Sequence, residues 1–130
     1  MKITLVTAVY NRAETVAGAI ASVAAQTYPQ IEHLIIDGAS SDGSLAAIES
    51  ARHSGMRLVS EPDQGIYDAL NKGFALARGE VLGLVHSDDF LAHDRVIEQV
   101  MARFADPAID AVYGDLDYVV AADPAKVIRR

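Results

Sequence analysis

Two adjacent carboxylates, Asp88 and Asp89, follow the apolar run at residues 81–85, with His86 and Ser87 between. Neighbouring carboxylates repel each other unless water or a cation relieves the repulsion. Magnesium and manganese ions take oxygen ligands, usually one or two carboxylates together with substrate phosphates and water. Asp89 and Asp88 are therefore candidate ligands for Mn²⁺ or Mg²⁺. The competing interpretation is that one of them caps the helix that follows.

Further candidates lie at the end of an earlier apolar run and on a later helical segment. Asp37 ends the run at residues 31–37, where nucleotide-binding α/β folds place an acidic residue for a ribose or base. It could equally be a turn residue before Gly38. Asp68 and Asn71 are spaced i and i+3 on one helical face, so both can face one ligand. Asp68 could instead form a surface ion pair of little energetic weight with Lys72.

The elements that must position these residues are indicated by hydrophobic periodicity, which alternates between strand and helix. The predicted strands lie at residues 2–7, 31–37, 56–60 and 81–85, with a final strand or hairpin at 111–113 and 116–120. The predicted helices lie at residues 14–26, 44–54, 66–77 and 94–104. Asp42 or Ser44 is the expected cap of the second helix, and Gly79 the expected C′ residue of the third. The continuous apolar run at 81–85 is typical of a strand buried on both faces.

This alternation predicts an α/β fold in one domain, residues 1–130, with a Rossmann-like, mostly parallel sheet and helices on both faces. Ligands of such sheets lie beyond the carboxyl ends of the strands. The polar residues gather at that edge, namely Tyr10, Asn11, Asp37, Asp63, Asp88 and Asp89. The sequence therefore predicts a binding site there.

Composition and missing motifs narrow the ligand classes. The net charge of −7 disfavours a nucleic-acid partner, because such proteins cluster Lys and Arg against phosphates. Since the chain has no cysteine, a metal must take oxygen or imidazole ligands. Residues 8–13 do not form the glycine-rich fingerprint of dinucleotide-binding folds, and the chain has neither a P-loop nor a Gly-x-Ser-x-Gly elbow. These absences disfavour NAD or FAD enzymes, P-loop enzymes and serine hydrolases.

The amino terminus contains no targeting pattern. Its apolar run is interrupted by Tyr10, Asn11 and Arg12, which is too soon for a signal peptide or a membrane span. We therefore expect a soluble, cytoplasmic domain, with a peripheral position at the inner face of the membrane as the second option.

Four segments in succession resemble the family 2 glycosyltransferases: residues 6–12, 35–44, 63–73 and 87–89. Each segment alone is a weak signal, but four in this order, at corresponding sheet positions, are specific. The version at residues 61–73, EPDQGIYDALNKG, is similar to that of bacterial transferases of exopolysaccharide, capsule or lipopolysaccharide assembly. The resemblance covers nearly the whole chain and implies a fold of the GT-A type.

The resemblance also implies a substrate class and roles for the candidate residues. The donor is expected to be a nucleoside-diphosphate sugar carrying UDP, dTDP or GDP, and the acceptor a saccharide or a lipid-linked acceptor. The nucleotide-sugar-binding residues implied are Thr7, Ala8, Tyr10, Asn11, Asp37, Asp63, Asp68, Asn71 and Asp88. Asp37 is expected to bind the base, and Asp89 to bind Mn²⁺ or Mg²⁺ with Asp88 facing the ribose or sugar. The family's reaction is attack by a deprotonated acceptor hydroxyl with inversion at the anomeric carbon.

Family members continue well past this length, and their later part supplies the catalytic base and most of the acceptor site. We therefore expect the base beyond Arg130 and regard the chain as the donor-binding part of a longer protein. The late carboxylates Asp115, Asp117 and Asp123 are not assigned that role. Two other functions stay open, a nucleotide-binding module without turnover and a nucleotidyltransferase. A homodimer is one option, since such a part of a domain would expose apolar surface.

Overall fold

The computed structural model describes residues 1–120 and 123–129, and the chain divides into two compact units, Met1–Glu98 and Gln99–Arg130. The first unit contains β1 (Ile3–Val9), α1 (Val16–Ala24), β2 (Ile31–Asp37), α2 (Ser44–Ser50), β3 (Met56–Ser60), α3 (Ile66–Leu76), β4 (Val81–Leu84) and the start of α4 (Val96–Arg103). The second unit contains the rest of α4 and an antiparallel hairpin of β5 (Tyr118–Val120) and β6 (Asp123–Arg129).

The four strands of the first unit form one parallel sheet in the order β3-β2-β1-β4. β1 and β2 are central and consist mainly of β-branched and other apolar residues that suit a strand buried on both faces. Since all four strands run the same way, their carboxyl ends share one edge of the sheet. That edge carries the loops in which the candidate residues lie.

Helices cover both faces of the sheet. One face packs against α1 and α2 through an apolar cluster formed by Val9, Val16, Ile20, Ile35, Ile48 and Met56. The other face packs against α3 through a second cluster formed by Val6, Leu34, Ile36, Ala69 and Leu70. The predicted α/β fold with a parallel sheet and helices on both faces is therefore confirmed.

Two predictions about strands are wrong. Leu82 and Leu84 are 49% and 45% exposed, so β4 is not buried on both faces. The reason is its place at the end of the sheet, beyond the strands β1 and β2 over which α3 packs. Residues 111–113 form no strand, and the hairpin begins only at Tyr118.

Gly79 does not form the predicted C′ turn of α3. The helix ends at Leu76, and Ala77 after it is already extended, with φ −63° and ψ 138°. Gly79 instead lies against β1, where a Cβ atom would stand 2.5 Å from the backbone nitrogen of Thr4. A glycine is needed there because the backbone of β1 approaches it, and its own N–H donates to Thr4 Oγ1 at 2.9 Å.

A buried carboxylate, Glu32, ties together the opposite, amino-terminal edge of the sheet. It accepts hydrogen bonds from Thr4 Oγ1 at 2.8 Å, from the backbone N–H of Arg78 at 2.9 Å and from Arg57 at 3.3 Å. Burial alone would raise the pKa of Glu32, but these donors lower it below its usual value. This carboxylate is fully partnered within the protein. Among the described residues, no helix combines the length and the apolar character that a membrane span requires.

Candidate functional site

The loops after β1 and β2 are joined to each other around Asn11. Asn11 has a left-handed backbone, with φ 51°, and its Oδ1 accepts hydrogen bonds from the N–H groups of Ser41 at 2.9 Å and Asp42 at 3.3 Å. Its own N–H donates to Ser40 Oγ at 2.9 Å. The amide of Asn11, predicted to contact a ligand, therefore fixes the neighbouring loop.

The same two loops are joined a second time at the start of α2. The N–H of Arg12 donates to Ser44 Oγ at 2.8 Å, and that of Ala13 donates to Asp42 Oδ2 at 3.3 Å. Asp42 Oδ1 accepts from the N–H of Ser44 at 2.9 Å, and hydrogen bonds from Ser44 lower the pKa of Asp42. The N-cap position of α2 is Gly43, so the prediction that Asp42 or Ser44 caps this helix is wrong, although the contacts of Asp42 give it a structural role just before the helix begins.

Asp37 is fully buried where β2 ends, and its carboxylate is held by two serines. Oδ1 accepts from Ser40 Oγ at 2.6 Å, and Oδ2 accepts from the N–H of Ser40 at 3.1 Å and from Ser60 Oγ at 2.8 Å. A carboxylate can accept about four hydrogen bonds, so these three donors leave room for one more. Ser40 and Ser60 were not identified from the sequence. Ser60 is found only through the register that pairs it with Asp37.

The carboxylate of Asp63 lies against Gly38, the residue that follows Asp37. A Cβ atom at Gly38 would stand 2.7 Å from Asp63 Oδ2, so any other residue there would displace the Asp63 carboxylate. Asp63 Oδ1 accepts from the N–H of Gly65 at 3.0 Å, which fixes its orientation. The structure therefore brings three predicted site residues, Asn11, Asp37 and Asp63, into one part of the edge.

The other candidates in and after β1 differ in what they can offer a ligand. Thr7 is fully buried, and its hydroxyl forms a hydrogen bond of 2.8 Å with Nε2 of His33 in the interior. Ala8 is partly buried against the apolar cluster beneath α3. Tyr10 is 60% exposed, so its ring is the accessible side chain of this group. Any contact from Thr7 would have to use its backbone.

Asp68 and Asn71 lie on the first turns of α3. Asp68 Oδ2 accepts from the N–H of Gln64 at 2.9 Å, which anchors the start of the helix. The same oxygen is 3.8 Å from Lys72 Nζ, the i,i+4 ion pair considered above, and Lys72 is also 3.2 Å from Glu61. Asn71 is exposed. Asp68 is thus already engaged locally, while the amide of Asn71 is open to solvent.

The acidic pair Asp88 and Asp89 is exposed beyond the end of β4. The capping interpretation is wrong, because α4 begins only at Val96. Although Asp89 is exposed, nearby protein atoms partly desolvate its carboxylate. This desolvation, and then the charge of Asp88, raise the pKa of Asp89, while His86 acts in the opposite direction. In contrast to Glu32, Asp89 carries a charge that the fold does not compensate.

This donor set fits a hard divalent cation only in part. Nowhere in residues 1–120 or 123–129 do three or more His, Cys, Asp or Glu residues form a group that could hold a metal ion. The two carboxylates supply hard oxygen ligands, and phosphates and water would have to supply the rest. That is the usual arrangement for Mg²⁺ and suits Mn²⁺ equally.

The strand order sets how these parts follow one another along the edge. Asp63 follows β3, Asp37 ends β2, Asn11 follows β1 and Asp88 follows β4. Neighbouring strands lie about 4.8 Å apart, so β2 and β4 are separated by roughly 10 Å across β1. The edge therefore offers an acceptor-rich pocket at β2 and β3 and a cation-seeking pair at β4, at a spacing that an extended nucleotide can bridge.

Comparison with known proteins agrees with this arrangement. The family model described as Glycosyl transferase family 2 matches residues 4–127. An uncharacterized glycosyltransferase of Mycobacterium tuberculosis is 34% identical over 124 residues, which cover 93% of this chain and 47% of that protein. The O-antigen biosynthesis protein RfbC of Myxococcus xanthus is 35% identical over 120 residues, covering 88% of this chain and 9% of that protein. The chain thus spans about half of the first relative and a small part of the second.

A solved structure shares the architecture. The mannosyltransferase PcManGT of Pyrobaculum calidifontis, in complex with GDP-Man and Mn²⁺, matches with a TM-score of 0.77 at 24% identity. The match covers 83% of this chain and 33% of that one, and it shows that the predicted GT-A type fold is correct. Since the family model extends over nearly all of the sequence, and a relative is 34% identical over 124 aligned residues, the chain belongs to glycosyl transferase family 2.

Proposed function

We propose that this chain binds the nucleoside-diphosphate-sugar donor of a metal-dependent, inverting glycosyltransferase of bacterial cell-surface polysaccharide synthesis. The observation that carries the proposal is the arrangement along one sheet edge of an acceptor-rich pocket and an uncompensated acidic pair. Membership of the family supports the reaction class. The name of RfbC supports the polysaccharide, and the GDP-Man and Mn²⁺ bound by PcManGT support the donor and the ion.

The pocket at β2 and β3 suits the nucleoside. Binding would have to uncover the buried carboxylate of Asp37, whose one remaining acceptor position can then take an N–H of a base. Tyr10 offers an exposed ring on which a base can stack, and the Asn11 contacts hold the loop that carries that ring. Asp63, fixed above Gly38, can accept a hydroxyl of the ribose.

The acidic pair suits the diphosphate only through a cation, because carboxylates and phosphates repel each other. Asp89 and Asp88 would hold the ion, with Asp88 turned toward the ribose or sugar. A bound divalent ion stabilises the negative charge that grows on the departing diphosphate. We assign the catalytic base to no residue of this chain.

Binding titrations test the donor and metal assignments together. UDP, GDP, dTDP and CDP would each be titrated with Mn²⁺ and with EDTA, using the unmutated chain, Asp89→Asn and Asp110→Asn. Asp110→Asn removes the same charge from an exposed aspartate elsewhere in the sequence and serves as the matched control. We expect one nucleotide to bind more tightly with Mn²⁺, and only Asp89→Asn to remove that difference. Equal affinity in EDTA for the unmutated chain would refute the metal assignment.

Turnover separates the proposal from its two alternatives. Because this chain is assigned no catalytic base, the reaction is measured on a version extended to the length of its relatives, with saccharide or lipid-linked acceptors present, and on this chain beside it. The extended version is expected to release nucleoside diphosphate from a sugar nucleotide, whereas this chain should bind the donor with little release. Binding without release by the extended version would indicate a nucleotide-binding module. Formation of a sugar nucleotide from nucleoside triphosphate and sugar phosphate would indicate a nucleotidyltransferase.

A further inference from the structure

The segment that carries Asp88 and Asp89 is a long connection between β4 and α4, residues 85–95. At its beginning it continues the sheet, since the N–H of Val85 donates to the carbonyl of Val6 at 3.1 Å. At its centre the N–H of Asp89 donates to the carbonyl of His86 at 3.0 Å, which closes a turn. The exposed carboxylates are therefore placed by the backbone of this segment.

The end of the segment is held by Gln26, just after α1. Its side-chain Nε2 donates to the carbonyl of His93 at 2.8 Å and to that of Ser22 at 3.0 Å. Its Oε1 accepts from the N–H of Ile97 at 3.0 Å. One amide thus bridges both sides of the turn that leads into α4, and it is itself fixed by the last turn of α1.

Two neighbours of Gln26 add further contacts. Ser22 Oγ accepts from the N–H of Leu91 at 3.0 Å, two residues beyond Asp89. The N–H of Thr27 donates to the carbonyl of Asp94 at 2.8 Å, and its hydroxyl donates to Glu98 at 2.9 Å. Contacts from Ser22 on α1, and from Gln26 and Thr27 just after it, therefore follow the segment from Leu91 to the first turn of α4.

We propose that Ser22, Gln26 and Thr27 form a clamp that positions the Asp88–Asp89 segment for metal binding. α1 begins shortly after the Asn11 loop of the nucleotide pocket and ends in this clamp. Ser22, Gln26 and Thr27 are not among the residues proposed to contact the nucleotide or the metal ion, so they act as positioning residues. The Mn²⁺-binding measurement rests on the proposed function, whereas hydrogen exchange at Asp89 tests the clamp independently of it.

The test uses Gln26→Met, which keeps an unbranched side chain but removes all three hydrogen bonds. Gln30→Met is the matched control, because Gln30 Oε1 contacts the amino terminus and not this segment. Ser22→Ala is a second, milder variant that removes the contact to Leu91. Each protein is examined without metal by hydrogen exchange of the Asp89 amide, by Mn²⁺ binding, and by nucleotide binding in EDTA.

Loss of one hydrogen bond commonly changes such an equilibrium by roughly two- to tenfold. We expect about tenfold faster exchange at Asp89 in Gln26→Met, at least about threefold weaker Mn²⁺ binding, and unchanged nucleotide binding in EDTA. Gln26→Glu keeps the acceptor for Ile97 but turns a carboxylate oxygen toward the carbonyls of Ser22 and His93, so it should speed exchange at least as much as Gln26→Met. Gln30→Met should match the unmutated chain in all three measurements.

Unchanged exchange at Asp89 in folded Gln26→Met would overturn the clamp, as would nucleotide binding in EDTA that weakens as much as Mn²⁺ binding. If Gln26→Met does not fold, Ser22→Ala decides by the same Asp89 measurement. If the unmutated chain binds no Mn²⁺, the metal part of the proposed function fails, while the exchange rates still decide whether the clamp exists.

Discussion

His33 should make the stability of the first unit sensitive to mild acid. Its ring is fully buried in β2, Nε2 is bonded to the hydroxyl of Thr7, and Nδ1 has no hydrogen-bond partner in the described structure. The ring of His53 lies nearby, with the two centroids 6.0 Å apart. Burial, and then the charge of His53, lower the pKa of His33 from 6.5 to about 3. The folded protein therefore holds this imidazole neutral.

The sign and size of the effect follow from proton linkage. Between pH 6.5 and about 3 the unfolded chain binds a proton at this histidine and the folded protein does not, so stability is lost as the pH falls. From these two pKa values the loss between pH 7 and pH 5 is about 2 kcal/mol, and its limit in stronger acid is about 5 kcal/mol. The pKa of His53 is also lowered by burial, which adds to the loss in the same direction.

The assay is urea unfolding at pH 7 and at pH 5 for the unmutated chain, His33→Gln and His93→Gln. His33→Gln keeps a side chain that can bond to Thr7 but does not titrate. His93 is exposed and serves as the matched control. We expect His33→Gln to be less stable at pH 7 because of imperfect packing, yet to lose about 2 kcal/mol less than the unmutated chain on going to pH 5.

The reasoning would be refuted if His33→Gln lost as much stability between the two pH values as the unmutated chain. The burial of a neutral imidazole would then not be the source of the acid sensitivity. A change of the same size in His93→Gln would show that any histidine substitution alters the slope, and the assignment to His33 would fail.

The remaining predictions concern the acidic pair Asp88 and Asp89, the close approach of Gly79 to β1 and the proposed nucleotide pocket. Because the fold raises the pKa of Asp89, its charge is unfavourable without metal, so thermal melts in EDTA should show Asp89→Asn at least as stable as the unmutated chain. A clear fall in Tm would contradict this. Gly79→Ala would place a Cβ atom 2.5 Å from Thr4 N and should destabilise by about 1 to 3 kcal/mol in urea unfolding. Gly18→Ala, which meets open space on α1, is its control and should be neutral or stabilising. Asp37→Ala should weaken nucleotide binding in titrations. It should also destabilise the fold by about 2 to 3 kcal/mol, because the hydroxyls of Ser40 and Ser60 lose their acceptor. Unchanged stability would show that Asp37 does not organise the pocket.

Hydrophobic periodicity was sufficient for most elements of the fold. β2 and β3 occur at the residues predicted, while β1 lies at Ile3–Val9 and not at 2–7. Each predicted helix is present, although all four are shorter, α3 by one residue. Strand bounds could be predicted because a change from apolar to polar residues marks where a buried strand ends. Helix ends were less certain, since the last turns of a helix depend on contacts with the rest of the fold rather than on periodicity.

The sequence by itself determined the α/β class, the family resemblance and the edge of the sheet at which the candidate site residues lie. Only the tertiary structure decided which side chains reach that edge. Thr7 is hidden because its hydroxyl meets His33 on the neighbouring strand, and Asp37 is occupied because β3 brings Ser60 beside it. Gln26 holds the connection after β4 although they are distant in sequence. Such contacts depend on strand order and register. Both arise from packing between distant segments, which the local sequence pattern does not predict.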